Sequence, residues 1–487
     1  MNIKEAKDEI KNSLKAYLLK DEFGKYKIPQ VRQRPILLIG PPGIGKTAIM
    51  EQIAEEEGLA LLSYTMTHHT RQSAVGLPFI VNKKYDGTEY SVTEYTMSEI
   101  IADVYEKIEK TGLKEGILFL DEINCVSETL APAMLQLLQG KSFGNRKIPE
   151  GFIIVAAGNP PEYNRSVREF DVVTLDRVRF LEIKPDFDVF KRFAYEQGLA
   201  SVIITYLELK PENFYKIESS MGEKRFVTAR GWQDLSTLIK AYEELGIAIT
   251  SEIVYEYLRH EETARDFFDY YELYARYKNL PEMQQVLEGK NIKETAEKFE
   301  NSQFDEKVSL MGLLLEGIGN SFRDCLQEMK IREEVSALLR EILKQPEASE
   351  GILSLYKEDI NKKKKNGLIN DNAERALLKS FELATEISGR YAKEGEDGVR
   401  SAFRNFEEER LRKGKEASGM LSFAFDFIEE AWGTGQEEVI FLTELTMNKN
   451  AAEFLSIYKN ERFNKLNESL LDGEEAAKLA REIKESK

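Results

Sequence analysis

An eight-residue glycine-rich stretch, GPPGIGKT from Gly40 to Thr47, constrains the fold of this chain more than any other part of its sequence. It fits the pattern G-x-x-x-x-G-K-[ST] of a phosphate-binding loop. The apolar run Ile36–Ile39 before it predicts a buried parallel strand, and Ala48–Glu57 after it predicts a helix that ends at Gly58. In that context the loop N–H groups and the helix N-terminus converge on one anion.

The residues of this loop have predicted roles in binding ATP and Mg²⁺. The ammonium group of Lys46 is expected to reach the outer phosphates, and the hydroxyl of Thr47 is expected to ligand the metal. The glycines allow the backbone to turn tightly around the phosphates. The predicted cofactor-binding residues are Gly40, Pro41, Pro42, Gly43, Ile44, Gly45, Lys46 and Thr47.

Two later strand ends carry polar side chains that suit phosphate chemistry. Residues 117–120 are apolar and predict a buried strand that leads into Asp121 and Glu122, and a further predicted strand, Phe152–Ala157, delivers Asn159. Ligands bind beyond the carboxyl ends of parallel strands, so these side chains are expected near the loop. Asp121 is predicted to hold Mg²⁺ together with the loop threonine. Glu122 is predicted to act as general base on a water molecule, which Asn159 would orient.

The composition argues against several classes of protein. The chain has 487 residues, enough for about three domains. Its formal net charge of −17 argues against a large nucleic-acid interface. No apolar run approaches the ~20 residues of a membrane helix, and charged residues interrupt the N-terminal segment, so neither a membrane span nor a signal peptide is predicted. With only Cys125 and Cys325, a reducing, cytoplasmic setting is expected.

The hydrophobic pattern predicts four segments. Residues 1–30 hold an amphipathic helix with apolar residues at helical spacing: Ile3, Ala6, Ile10, Leu14 and Leu18. Residues 31–185 are expected to form an α/β core, 186–280 a helical lid, and 281–487 a helical domain whose role the sequence does not indicate. The predicted fold class is therefore an α/β P-loop NTPase core, an αβα sandwich, with a helical lid and an all-α C-terminal region.

Turn and cap residues predict further local structure. One β-hairpin, Phe79–Val92, is expected to turn at Asp86-Gly87, and another, Lys141–Ile148, at Gly144-Asn145. From residue 186 onwards the pattern is wholly helical. Helices are expected to begin at three cap residues: Ser98, Ser127 and Asp186.

Two stretches stand out in the C-terminal segment. Lys362–Lys365 is expected to be a loop rather than a contact with nucleic acid or membrane. Met420–Trp432 is apolar and largely aromatic, and it is expected to lie in the core of a helical domain. Gly433 and Gly435 are expected to separate two helices.

Five motifs stand in a fixed order between about residues 30 and 280: GPPGIGKT, ILFLDEIN, AAGNP, LDRVRF and FVTARGW. Together they resemble the AAA+ ATPases and, within them, the MoxR-like branch. The resemblance implies that Asn159 is the first sensor and Arg230 the second. It also implies that Arg177 is an arginine finger, which completes a neighbouring subunit's site. The two hairpins would then be the helix-two insert and the hairpin before the first sensor, which face the central pore of a ring.

The identity of the finger stays open in the sequence. In the usual MoxR-like run a phenylalanine directly follows the arginine, whereas here Val178 and Arg179 intervene. Arg179 is therefore a rival to Arg177, and Arg165 and Arg168 are weaker rivals. A guanidinium from a neighbour would stabilise the charge that develops on the γ-phosphate, so hydrolysis would depend on assembly.

The resemblance implies a chaperone-like machine that forms a ring, with a hexamer expected, and that hydrolyses ATP to remodel a protein client or partner. MoxR-like proteins typically work with a protein that carries a von Willebrand factor A domain, so such a partner is expected. Two alternatives remain. One is a nucleic-acid motor, against which the charge of −17 argues, and the other is an ATP-switched assembly scaffold, against which the presence of Glu122 argues.

Overall fold

The apolar runs in the first part of the chain form the strands of a parallel sheet, and other strands pair as hairpins. The computed structural model describes residues 1–143, 146–163, 167–220 and 223–469. In chain order its strands are β1 (Ile36–Ile39), β2 (Ala60–Thr65), β3 (Pro78–Tyr85), β4 (Thr88–Tyr95), β5 (Gly116–Asp121), β6 (Ser142–Phe143), β7 (Arg146–Lys147), β8 (Phe152–Gly158), β9 (Arg179–Glu182), β10 (Lys216–Ser220) and β11 (Glu223–Val227).

Helices occur along the whole described chain, and α17 contains a kink at Gly395. Among the described residues, no helix has the length and apolar character needed to cross a bilayer. Residues 461–469 are helical. In chain order the preceding helices are α1 (Ile3–Tyr17), α2 (Lys46–Glu57), α3 (Arg71–Val75), α4 (Glu99–Thr111), α5 (Ala131–Gly140), α6 (Val172–Leu175), α7 (Phe187–Gln197), α8 (Ser201–Leu209), α9 (Ala229–Leu245), α10 (Ser251–Tyr257), α11 (Glu261–Lys278), α12 (Pro281–Leu287), α13 (Ile292–Phe299), α14 (Phe304–Lys344), α15 (Ser349–Lys365), α16 (Asp371–Gly389), α17 (Tyr391–Trp432), α18 (Gln436–Met447) and α19 (Lys449–Ile457).

The chain divides into two units. Unit 1 consists of Met1–Val189 and Thr228–Arg230, and unit 2 consists of Phe190–Val227 and the chain from Gly231 onwards. Unit 2 therefore contains most residues of the predicted lid together with those of the predicted C-terminal domain. The boundaries expected after residues 30, 185 and 280 stay predictions.

The parallel sheet of unit 1 has five strands in the order β2-β5-β8-β1-β9. Its central strands are buried because they carry nearly continuous apolar residues, as a parallel sheet covered on both faces requires. β1 ends beside β8, with Ile39 opposite Gly158, and β8 also pairs with β5. The carboxyl ends of these three strands therefore meet at one end of the sheet. The predicted strands and the α/β P-loop class are confirmed.

The N-terminal helix α1 packs against α2 in unit 1. A capping box at its first turn fixes where the helix begins. Lys7 Nζ of α1 donates a hydrogen bond to Gln52 Oε1 of α2 at 2.9 Å. The predicted apolar stripe is confirmed by three residues that are at most 1% exposed: Ala6, Ile10 and Leu14.

Both hairpins expected in the core are present. β3 and β4 pair antiparallel from Pro78 to Tyr95, and their turn residues Asp86 and Gly87 have left-handed φ values of 51° and 81°. Most side chains of this hairpin are exposed, among them Ile80 at 76%. β6 and β7 form the second hairpin, whose expected turn at Gly144-Asn145 lies outside the described residues.

Two of the three expected helix starts are confirmed, at Ser98 and Asp186, and the one expected at Ser127 is wrong. Ser98 is the N-cap residue of α4, so this helix begins where expected, although the Ser98 hydroxyl donates to the carbonyl oxygen of Ala74 near the end of α3 and makes no capping hydrogen bond. The helix expected from Ser127 begins later, because Leu130 is the N-cap of α5 and backbone hydrogen bonds hold the turn before it. Asp186 does cap α7, since its Oδ1 accepts a backbone hydrogen bond in the first turn at 3.1 Å.

Unit 2 is not wholly helical, because β10 and β11 pair as an antiparallel hairpin. These strands contain few apolar residues, so their alternation is weak in the sequence. The early helices of the unit enclose a cluster of aromatic rings whose centroids lie 5.2 to 5.7 Å apart. The three rings belong to Tyr206, Trp232 and Phe267.

A buried ion cluster joins α7 to α18 within unit 2. Lys191 is 3% exposed, and its Nζ donates to Glu208 Oε2 at 2.7 Å and to Glu444 Oε1 at 2.9 Å. The hydroxyl of Tyr195 also donates to Glu444. Burial alone would lower the pKa of Lys191, but the two carboxylates outweigh it, and the pKa is raised above its ordinary value. Lys191 therefore remains charged.

Two C-terminal expectations have different outcomes. Lys362–Lys365 forms the last turn of α15, so the expected loop is wrong, and cations are favoured there by the helix dipole. Met420–Trp432 lies in α17, where Phe425 and Phe427 are fully buried, which confirms its expected place in a core. Gly433 caps the end of that helix.

Replacing Gly414 by alanine should destabilise the protein. A Cβ atom at this position in α17 would lie 2.2 Å from two ring atoms of Tyr458. Overpacking of this kind costs about 1–3 kcal/mol. Gly419→Ala in the same helix is the matched control, because the nearest atom, in Phe423, would be 3.8 Å away. The control should be neutral or stabilising by up to about 1 kcal/mol. Equal unfolding midpoints of the two variants in urea would contradict this packing.

Candidate active site

The glycine-rich loop turns between β1 and α2 through backbone conformations that favour glycine. Gly43 and Gly45 have φ values of 73° and 93°, in the left-handed region. Gly45 is the N-cap of α2, and no side chain caps that helix. A Cβ atom at Gly45 would meet nothing within 4 Å. The start of α2 is therefore an open helix N-terminus, a structure that binds phosphate.

Lys46 is the one charged residue of the loop Gly40–Thr47, and it is buried, with 8% of its surface exposed. Its Nζ donates hydrogen bonds to the carbonyl oxygens of Gly40 and Pro41, at 2.7 and 2.9 Å, and to Asn159 Oδ1 at 2.9 Å. Burial lowers the pKa of Lys46 to about 8, although the Asp121 carboxylate acts in the opposite direction. The site therefore holds a desolvated cation, which a phosphate group would stabilise.

Thr47 and Asp121 meet beside this lysine. The hydroxyl of Thr47 donates to Asp121 Oδ2 at 2.7 Å, which joins the start of α2 to the end of β5. A hydroxyl and a carboxylate are hard oxygen ligands of the kind that Mg²⁺ prefers. The two side chains predicted to hold the metal are thus adjacent and chemically suited to it.

Glu122 has an unusual backbone conformation at the end of β5. Its φ of 55° lies in the left-handed region, which is strained for a residue other than glycine and is enriched at functional sites. Its Oε2 accepts a hydrogen bond from the hydroxyl of Thr67 at 2.9 Å. Thr67 lies in the 3-10 turn Met66–His68 after β2. Sequence reasoning missed Thr67, because the stretch that follows β2 has no clear period.

Asn124 is a second contact that the sequence did not indicate. It is 5% exposed, and its Nδ2 donates to the backbone carbonyl oxygen of Asn159 at 2.8 Å. This hydrogen bond ties the end of β8 to the turn after β5. Asn159 is held through its backbone by Asn124 and through its side chain by Lys46.

Arg230 lies in the first turn of α9, close to the loop. Its backbone N–H donates to the carbonyl oxygen of Gly43 at 3.1 Å, and its charge contributes to the lowered pKa of Lys46. A Cβ atom at Gly43 would lie 2.9 Å from the Cβ of Thr228, so glycine also permits this close approach. The guanidinium of Arg230 is exposed.

The other candidate arginines lie outside this cluster. Arg177 is exposed, on the turn between α6 and β9. Arg179 binds Glu9 and Ser13 of α1, and Arg168 pairs with Glu128 at 2.7 Å. The last rival, at position 165, lies outside the described residues.

Residues 35–178 match the family model of the AAA domain, dynein-related subfamily. This segment is an AAA+ ATPase domain. It contains the loop, Asp121, Glu122, Asn159 and Arg177, but ends before Arg230. Among curated proteins, none matches the chain.

The AAA+ domain supports ATP-driven activity, and the residues present fit ATP with Mg²⁺. Two observations carry the fit: the buried Lys46 ammonium faces oxygen acceptors, and Thr47 and Asp121 place two hard ligands side by side. Lys46 and the open start of α2 would hold the phosphates, and Thr47 with Asp121 would hold the metal. Bound Mg²⁺ would neutralise part of the phosphate charge. The individual roles of these residues stay predictions.

Nucleotide affinity should fall as the pH rises through about 8, the lowered pKa of Lys46. Below that pH the ligand-free lysine is already protonated, whereas above it phosphate binding must take up a proton. The decline should approach about tenfold per pH unit. Binding of a fluorescent ATP analogue, measured between about pH 7 and 9.5, tests this.

Two variants assign the effect to Lys46. Lys141 is also buried, with a pKa lowered to about 8, but its Nζ donates to the carbonyl oxygen of Gln30. Lys141→Met should therefore keep the decline, and Lys46→Arg should flatten it, because a guanidinium stays charged at these pH values. An unchanged decline in Lys46→Arg would refute the assignment.

Proposed function

We propose that this protein is a MoxR-like AAA+ ATPase that forms a ring and remodels a protein client or partner. The single observation that carries the proposal is the meeting of Lys46, Thr47, Asp121 and Asn159 at the carboxyl ends of β1, β5 and β8. The assignment to the MoxR-like branch rests on the order of the five motifs. The hexamer and the cytoplasmic setting remain expectations of the same kind.

The chemical roles follow from the positions of the side chains. Glu122 would take a proton from the attacking water as general base, and its intermediate exposure leaves it accessible. Asn159 would orient that water, and Arg230 would act on phosphate as the second sensor. Lys46 would stabilise the outer phosphate oxygens. Thr67 would hold the carboxylate of Glu122 until water and nucleotide are in place.

A site completed by a neighbouring subunit is supported by the arginines on this chain. AAA proteins generally assemble into rings, and a finger must be accessible to another copy. Arg177 is exposed, whereas the guanidinium of Arg179 is bound by Glu9 and Ser13 of its own chain. We therefore assign the finger to Arg177.

A protein client fits the surface of unit 1 better than nucleic acid does. The β3–β4 hairpin exposes Phe79, Ile80, Tyr85 and Tyr90, with 44 to 76% of each residue accessible. Exposed apolar groups of this kind are typical of protein interaction sites. A formal net charge of −17 opposes binding to a polyanion. The partner with a von Willebrand factor A domain is proposed from the resemblance.

Mixing two inactive variants should restore ATP hydrolysis. Arg177→Ala should bind ATP without hydrolysing it, and Glu122→Gln should do the same for a different reason, because it lacks the base. In mixed rings, an Arg177→Ala pocket would receive the finger of a Glu122→Gln neighbour. Phosphate release should then rise at least about tenfold above either variant alone, since a finger contributes about 10³ or more. No rescue at any mixing ratio would refute the shared site.

The client proposal is tested by trapping the ATP-bound form. Glu122→Gln in Mg²⁺ and ATP should retain a partner with a von Willebrand factor A domain from the native lysate. Lys46→Ala is the matched control, because it should bind no nucleotide and retain none of this partner. ATPase activity stimulated by labelled DNA, with binding that weakens with salt, would instead favour the nucleic-acid motor.

A further inference from the structure

The side chain of Arg179 connects the start of β9 to the N-terminal helix. One of its terminal amino groups donates to the hydroxyl of Ser13 and the other to the carboxylate of Glu9. Ser13 is 2% exposed, and its hydroxyl donates to the carbonyl oxygen of Glu9 at 2.7 Å. This leaves a lone pair of the Ser13 oxygen directed to the arginine. Glu9 and Ser13 therefore form a prepared acceptor pair, which we call the α1 clamp.

The clamp is effective because α1 is fixed independently of Arg179. Its apolar face is buried, and it packs against α2. At its beginning, the amino group of Met1 donates to the carbonyl oxygen of Glu182 at 3.0 Å, and the carbonyl oxygen of Met1 accepts from the N–H of Lys184 at 2.9 Å. Helix α1 thus holds the start of β9 through Arg179, and Met1, just before the helix, holds the end of β9.

Arg177 lies on the segment that this arrangement holds. Its backbone N–H donates to the carbonyl oxygen of Thr174 at 3.0 Å, and the next residue, Val178, is buried. On the other side, Asp171 caps α6 through its Oδ1, which accepts from the N–H of Thr174 at 2.7 Å. The backbone around Arg177 is therefore fixed from both directions, while its side chain is exposed.

We propose that Glu9 and Ser13 are positioning residues for the arginine finger. By holding Arg179, they fix the start of β9 and so direct the Arg177 guanidinium to the nucleotide of the neighbouring subunit. The inference rests on the proposed function, in which Arg177 acts in trans. It adds that α1 controls hydrolysis in the next subunit, not in its own.

The exposure of the pair separates positioning from a stabilising role. The Arg179 and Glu9 side chains are 35 and 37% exposed, and ion pairs with such access to water contribute little to stability. A small displacement of a catalytic group, in contrast, lowers a rate by up to about a hundredfold. Loss of the clamp should therefore lower the rate of ATP hydrolysis strongly and change the unfolding midpoint only slightly.

The test places Glu9→Gln on one side of the shared site at a time. In the first mixture, the subunit that donates the finger carries both Glu9→Gln and Glu122→Gln, and it is mixed with the Arg177→Ala subunit. In the second mixture, the subunit that supplies the pocket carries both Glu9→Gln and Arg177→Ala, and it is mixed with the Glu122→Gln subunit. Both mixtures contain the same substitutions, so effects on folding and ring assembly are matched.

The rescue of phosphate release should fall about tenfold in the first mixture and stay unchanged in the second. Lys7→Gln is the matched control on α1, because Lys7 pairs with Glu56 and not with Arg179. It should leave the rescue intact on either side. Ser13→Ala should reproduce the effect of Glu9→Gln. A donor subunit in which the two charges are swapped, by Glu9→Arg together with Arg179→Glu, should recover part of the rescue.

Three results would overturn the inference. An equal fall in both mixtures would show a structural role, and no fall in either would show that the clamp is irrelevant to hydrolysis. The third result is the absence of rescue when Glu9 is native in both partners. That outcome refutes the shared site itself, and with it the finger that α1 is proposed to position, so the two failures are distinguishable.

Discussion

The buried ammonium group of Lys46 holds the ends of β1 and β8 together, and the candidate site depends on this contact. Its hydrogen bonds to Gly40, Pro41 and Asn159 replace the water that a cation loses on burial. Burial and the charge of Arg230 still lower the pKa of Lys46, so the neutral form is favoured relative to a lysine in water. The negative charge of a bound triphosphate would stabilise the protonated form of Lys46 further.

The parts of the site that could be predicted are those encoded by neighbouring residues. The loop is a contiguous pattern, and Asp121 and Asn159 follow from the rule that parallel strands end on the same side. Thr67 could not be found this way, because its partner Glu122 is 55 positions away and the turn after β2 has no distinctive composition. The contact of Arg179 with Glu9 of α1 could not be predicted for the same reason, because Glu9 lies 170 positions earlier.

The fold shows a similar division between local and distant information. Apolar runs located the sheet and α1, and the Asp86-Gly87 pair located a hairpin turn. Ser98 marked the start of α4, whereas Ser127 was a poor guide, because α5 begins only after Leu130. The short β10–β11 hairpin was missed because its stability comes from cross-strand pairing rather than from an apolar pattern.

The pair of Lys191 and Glu444 has a consequence for the order in which the chain folds. The two residues are 253 positions apart, yet both are nearly inaccessible to water. A buried cation without its full set of carboxylates is costly, by about 3–5 kcal/mol when one partner is removed. During synthesis α7 leaves the ribosome long before α18, so the final packing of α7 must wait until α18 has been translated.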